Sequence, residues 1–166
     1  MSTPNTYISL KDYNTFGLDV LAKEVVFLKD LKQLEEIPNL KEAMFIGGGS
    51  NILLTKDVNK TVLVNQTHGI CTVTEDDNYI ELAVASGENW HDLVLYCIEK
   101  GYGGLENMSL IPGSVGAAPM QNIGAYGTEV KDMLTYLEAV DLDTRELKRF
   151  TNEECEFGYR ESIFKK

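Results

Sequence analysis

The chain has 166 residues, 43% of them hydrophobic and 25% charged, a balance that fits one ordinary domain or two small ones and excludes wholesale disorder. Its 15 basic and 26 acidic side chains leave a formal charge of −11, which repels phosphate backbones and anionic lipid, so nucleic acid and membrane surfaces are poor partners. One small anionic ligand stays compatible with that charge, provided local N–H groups and a cation meet it.

In chain order, Asp30 is a plausible N-cap for a helix over residues 29–37, with Leu31, Leu34 and Ile37 on one stripe and Pro38-Asn39 closing it. Ala43-Met44-Phe45-Ile46 reads as a short buried strand running into three glycines, and Lys60 to Asn65 as a second strand. Beyond Gly69 the texture turns strand-rich: residues 70–74 and 80–84 alternate around Asp76-Asp77-Asn78 and predict a hairpin. Asn89 caps the clearest helix, whose apolar stripe is Trp90, Leu93, Val94, Cys97 and Ile98 and whose end is Gly101. Leu105 to Gly127 is glycine-rich and aperiodic. Leu137–Leu142 and Glu146–Phe150 then predict another hairpin around Asp143-Thr144. The fold class is α+β, with a soft boundary dividing 1–68 from 69–166.

Cys71, Cys97 and Cys155 are odd in number and contain no Cys-x-x-Cys pair, which suits a reducing compartment rather than a disulfide scaffold. Met1 to Lys11 lacks the apolar core of a signal peptide, and no run approaches ~18 apolar residues. The expected location is cytoplasmic. His68 and His91 have no ligand-spaced neighbours, so no metal site is expected, and Cys97 on an apolar helix face reads as a buried, inert thiol.

Three segments carry candidate chemistry. Gly47-Gly48-Gly49-Ser50-Asn51 follows a strand; its glycines let main-chain N–H groups approach an anion, and Ser50 and Asn51 add donors. A tight turn needs the same residues. Neither standard nucleotide motif is satisfied: Ile52 stands where a G-x-G-x-x-G fingerprint needs its last Gly, and no Gly-Lys-Ser/Thr occurs. Ile111-Pro112-Gly113-Ser114-Val115-Gly116-Ala117-Ala118, continuing to Asn122-Ile123-Gly124-Ala125-Tyr126-Gly127, is nearly free of large side chains. Such a stretch fits against a flat ligand, or equally allows backbone elements to pack closely. In Phe157-Gly158-Tyr159-Arg160-Glu161-Ser162, Arg160 beside Tyr159 can fork onto a carboxylate, or simply pair with Glu156 or Glu161 at the surface. Two small-residue stretches in one short acidic chain favour a dinucleotide with a planar ring.

These segments resemble the N-terminal part of the UDP-N-acetylenolpyruvoylglucosamine reductase family. The matching stretches are Asn14-Thr15-Phe16-Gly17, GGGSN with Ile52-Leu53, SGENWHDLV around Trp90, GLENMSLIPGSVGAAPMQNIGAYG and CEFGYRESIF, in the family's order from Asn14 onward. The resemblance implies two small α+β subdomains holding FAD between them, in the vanillyl-alcohol-oxidase type of flavin fold. It places the FAD pyrophosphate on Gly47 to Asn51 and the flavin ring and remaining cofactor along Ile111–Ala117 and Asn122–Gly127. It makes Arg160 the active-site arginine and Tyr159 its neighbour at the substrate.

The implied reaction has two halves: NADPH reduces the flavin, and the alkene of an enolpyruvyl UDP-sugar is then reduced to a lactyl ether. Negative charge developing toward the substrate carboxylate calls for an arginine beside it. The family's proton-donating Ser and assisting Glu belong to a C-terminal part, whereas this sequence stops at Lys166. Ser50, Ser114 and Ser162 stand in other motifs. The expectation is therefore a partial chain that keeps much of the flavin site and does not turn over alone. Two rivals stand beside it: another FAD oxidoreductase of the same fold, and a non-catalytic α+β domain whose glycines serve packing.

Overall fold

The computed structural model describes residues 7–165. Of the Met1–Lys11 stretch read above for a leader, the first six positions lie outside the described residues.

β1 (Ile8–Ser9) leads through a 3-10 turn to β2 (Leu21–Leu28), which the sequence analysis did not anticipate. The reason is visible in the ladder. A register shift between Ala22 and Glu24 breaks the two-residue period, and Val25 to Leu28 then form an apolar run against a parallel neighbour. The expected helix over 29–37 shrinks to α1 (Gln33–Glu36). Asp30 does not cap it. Its Oδ1 accepts from the N–H of Lys32 at 2.9 Å in the preceding turn, and Gln33 Oε1 accepts from the N–H groups of Lys29 and Asp30. Leu34 and Ile37 are buried as expected, but Leu31 is exposed.

β3 (Met44–Ile46) and β4 (Val58–Asn65) complete a four-stranded sheet in the order β1-β2-β4-β3. β2 and β3 both run parallel to β4, while β1 is antiparallel to β2. The central strand β4 carries the fully buried Val62 and Leu63, one facing each of two cores. Burying a side chain of that size contributes about 1.5–3 kcal/mol.

β5 (Ile70–Glu75) and β6 (Ile80–Val84) form the expected hairpin. Asp76 Oδ1 accepts from the N–H groups of Asn78 and Tyr79 across its turn, which holds the carboxyl below its ordinary range. α2 (Trp90–Lys100) follows, capped by the Asn89 side chain on the N–H groups of His91 and Asp92 and ended by Gly101 at φ 77°. Trp90, Leu93, Val94 and Cys97 are buried, but Ile98 is exposed, so the stripe is narrower than read. The Trp90 indole N–H donates to the carbonyl of Met108 at 3.0 Å and fixes the chain leaving the helix.

The aperiodic stretch folds into 3-10 turns, including Val115–Gln121, and into a two-residue ribbon of β7 (Gly124–Ala125) and β8 (Thr128–Glu129). β9 (Tyr136–Val140) and β10 (Leu147–Thr151) form the last hairpin, close to expectation. Val140 and Leu142 pack on the core of Leu28, Leu34, Ile37, Leu40 and Leu63, so this hairpin closes over residues from the other end of the chain. A separate core, from Trp90 to Val130, sits under α2.

Candidate functional site

The two glycine-rich segments meet. Ile46 at the end of β3 delivers Gly47 to Asn51 against Pro112 to Ser114. A Cβ on Gly48 would stand 2.8 Å from the Cα of Gly113, and one on Gly47 would strike the Ser114 hydroxyl. Gly49 is buried at φ 64°, with the carbonyl of Tyr13 against the space a Cβ needs. The N–H of Thr15 donates to the Gly49 carbonyl at 3.1 Å. Asn14, itself buried, holds that flanking loop by side-chain bonds to the main chain of Leu10 and Leu18. Ser50 Oγ donates to the carbonyl of Pro112 at 3.3 Å, and Asn51 reaches Gln121.

Among the described residues, no main-chain N–H from Gly47 to Asn51 has a hydrogen-bond acceptor, and the same holds for Gly113 and Ser114. Gly49 and Ser114 are buried, where an unpaired backbone donor is rare, while Gly47, Ser50 and Gly113 are half-buried and Gly48 and Asn51 exposed. Here two runs of unpaired donors adjoin across the Gly48–Gly113 contact, a donor set that suits a pyrophosphate. The remainder of the second segment is different. The N–H groups of Val115 and Gly116 donate to the carbonyls of Glu88 and Ser86, each at 2.8 Å, and that of Ala117 to Ser114. Close packing accounts for Gly116, where a Cβ would stand 2.5 Å from that of Ser86. Both readings of the small residues are therefore realised, at different positions.

The short Val115–Gln121 helix leads from this cradle to an open cleft of about 400 Å³. Seven residues of 3-10 helix span about 14 Å. Asn122, Gly124, Ala125, Tyr126, Gly127, Tyr159 and Arg160 all line the cleft, so the second half of the small-residue stretch and the arginine motif come together. Tyr126 (φ 52°) and Gly127 (φ 85°) form the turn of the β7–β8 ribbon, with Tyr126 90% exposed. Tyr159 and Arg160 are the central residues of a tight turn closed by paired Gly158 and Glu161 main chains, with Tyr159 87% exposed.

Glu129, Lys131 and Asp132 also line the cleft, and nothing in their sequence spacing singled them out. Their charges are largely spent. Glu129 bonds Lys131 Nζ at 2.6 Å, which holds that ammonium pKa above its ordinary value, and Asp132 accepts from the Glu129 N–H at 2.8 Å. Arg160 forms no ion pair among the described residues, so its guanidinium, unlike the Glu129-paired Lys131, keeps its charge and its fork of donors available to the cleft. Ser162 is fully buried, with its hydroxyl on the Met120 carbonyl. His91 is half-buried, and its Nδ1 accepts from the N–H of Leu110 where the chain takes a left-handed conformation (φ 62°). Cys97 and Cys155 are buried free thiols pushed up in pKa by burial, and Cys71 is an exposed one. Among the described residues, no helix is long and apolar enough to cross a membrane.

A family model described as an FAD binding domain matches residues 25–150. The chain belongs to that FAD-binding family. The match spans both unpaired donor runs and the small-residue side of the cleft. The chain is 51% identical over 160 residues to a UDP-N-acetylenolpyruvoylglucosamine reductase of Flavobacterium johnsoniae, covering 95% of this chain and 48% of that protein. It is 48% identical over 163 residues to the protein of the same name from Amoebophilus asiaticus, again covering 95% and 48%. The crystal structure of the Thermus caldophilus reductase superposes with a TM-score of 0.74 at 28% identity, covering 94% of this chain and 55% of that one. The α+β FAD-binding fold and the resemblance read from the sequence are thus borne out, and the chain spans about half the length of the relatives it matches.

Proposed function

We propose that this chain is the FAD-binding part of a reductase that uses NADPH to convert UDP-N-acetylglucosamine enolpyruvate to UDP-N-acetylmuramate, a peptidoglycan precursor. The observation that carries this reading is the pair of unpaired N–H runs adjoining at Gly48 and Gly113, joined through one short helix to a cleft holding Arg160. Gly47 to Asn51, with Gly113 and Ser114, hold the FAD pyrophosphate. Ile111, Pro112 and Val115 to Ala117 flank the path from there, and Asn122 to Gly127 line the ring end. The division into 1–68 and 69–166 then puts the first donor run in one subdomain and the second in the other.

Bound FAD supplies the two-electron relay between the nicotinamide and the enolpyruvyl double bond. The protein orients the substrate. Arg160 takes the carboxylate through two charge-assisted hydrogen bonds and stabilises the negative charge that develops on it. Tyr159 lies against the sugar nucleotide. No proton donor is assigned within these residues, since Ser162 is committed to the Met120 carbonyl. Three free cysteines support a reducing, cytoplasmic setting.

The test is a titration of the purified protein with FAD, followed by titration of the loaded protein with the enolpyruvyl substrate, for the native chain and Arg160→Met. Expected are a yellow 1:1 complex, a substrate-induced change in the flavin spectrum, and loss of that change in the variant with FAD affinity retained. Colourless protein after FAD addition overturns the cradle, and an unaltered Arg160→Met titration overturns the role of the arginine.

A further inference from the structure

The turn that presents Arg160 is short, solvent-exposed and strained, yet both of its stems are fastened to the same place. Arg160 sits at φ 54°, a left-handed conformation that is strained for a non-glycine residue. Such strain persists only where the surroundings over-determine it. Before the turn, Asn122 Nδ2 donates to the Gly158 carbonyl at 3.0 Å. After it, Ser162 Oγ donates to the Met120 carbonyl at 2.8 Å and accepts from the Phe164 N–H at 3.2 Å. Asn122 is 1% exposed and Ser162 fully buried, so the donor end of each bond is sheltered, while the acceptors belong to half-buried Gly158 and exposed Met120. Met120 and Asn122 flank the C-terminal end of the Val115–Gln121 helix, which starts at the N–H cradle.

We infer that Asn122 and Ser162 are positioning residues that set the placement of Arg160 relative to the small-residue segment, an inference that rests on the reading of Arg160 given above. Asn122 suits the task three times over. It adopts φ 44°, which asparagine tolerates better than other side chains, its Oδ1 accepts from the Lys131 N–H at 3.1 Å, and its amide still has a donor for Gly158. The acceptor ties it to Lys131, which also lines the cleft, and the donor to the arginine turn. Aspartate keeps the backbone preference and the acceptor but loses the donor, and sets a carboxylate oxygen against the Gly158 carbonyl. Displacing a charge-stabilising group by about 1 Å costs on the order of 100-fold in rate.

The experiment uses the FAD-loaded full chain and four variants, Asn122→Asp, Ser162→Ala, Ser162→Thr and Arg160→Met. The substrate-induced change in the flavin spectrum, titrated to a dissociation constant for the enolpyruvyl substrate, and the FAD dissociation constant are measured for each. Asn122→Asp and Ser162→Ala are expected to weaken substrate binding, read from that spectral change, about 10-fold with FAD affinity within about twofold, while Ser162→Thr restores most of the loss. Should Asn122→Asp fail to fold, the Ser162 pair carries the same comparison. The inference is overturned if both substitutions leave the substrate dissociation constant unchanged while Arg160→Met abolishes the spectral change, or if FAD affinity falls in step with substrate affinity. If Arg160→Met itself behaves as the native protein, the reading of Arg160 falls, and the positioning role with it.

Discussion

The Cα of Gly113 lies 2.8 Å from where a Cβ on Gly48 would be, so the two loops that carry the unpaired N–H runs touch through bare main chain. No side chain fits between them, and neither partner is the movable end of a side chain.

Gly48→Ala must therefore separate the loops. The expected result is a stability loss of about 1–3 kcal/mol, as for other overpacked sites, and an FAD affinity at least ~10-fold weaker because the two donor runs no longer share one anion. Gly103→Ala is the comparison, since its Cβ would meet only the flexible Glu106 carboxylate at 3.3 Å. Equal FAD affinity for both variants, read from flavin fluorescence titrations, would remove the Gly48–Gly113 contact from the cofactor site.

Arg145 spans the chain. From the turn of the last hairpin its guanidinium donates to the carbonyls of Leu34, Glu35 and Ile37 at 2.8, 2.6 and 2.9 Å, satisfying groups that the four-residue α1 leaves open. Arg145→Ala is expected to cost about 1–3 kcal/mol in urea unfolding, with Arg145→Lys recovering only part, because an ammonium cannot fork over three carbonyls. All three residues carry a Cβ, so the strain of φ 62° is common to them and cancels. A lysine variant as stable as the native protein would show that charge alone, without the fork, holds the hairpin.

Asp141 supplies the pH dependence. Its hydrogen bond to Lys148, with further bonds from the N–H groups of Thr144 and Asp143, lowers the carboxyl pKa from 3.8 to about 2. A carboxyl depressed on folding contributes stability that is fully present above its unfolded pKa and is lost as pH falls through the folded one. The native protein should therefore lose stability more steeply than Asp141→Asn from about pH 4 down to about pH 2. The reverse holds for Lys148, whose raised pKa makes its contribution disappear only as pH rises beyond its ordinary value of 10.5. Parallel urea midpoints for native and Asp141→Asn proteins across the acid range would contradict this assignment.

Where local chemistry and tertiary packing agree, the elements were legible. The Asn89 cap and Gly101 stop bound α2 as expected, and the Asp76 turn sits between β5 and β6. The elements that failed did so for identifiable reasons. β2 carries a register shift that erases its alternation, and the Asp30 signal belongs to a turn because the strand runs on to Leu28. At the candidate site, the residue types were visible but their partners were not. Lys131, Glu129 and Asp132 reach the cleft only because β8 and the turn after it fold back beside Asn122.

Local patterning by itself determined the α+β class and the residues worth weighing, because those follow from side-chain chemistry and local spacing, while the order of the matched motifs carried the resemblance to a flavin-dependent reductase family. Tertiary structure decided which glycines lend donors and which merely permit contact: Gly48 and Gly113 abut with their N–H groups unpaired, whereas the N–H of Gly116 is taken up by Ser86. That distinction depends on which backbone lies opposite, and no sequence of small residues encodes its own neighbour.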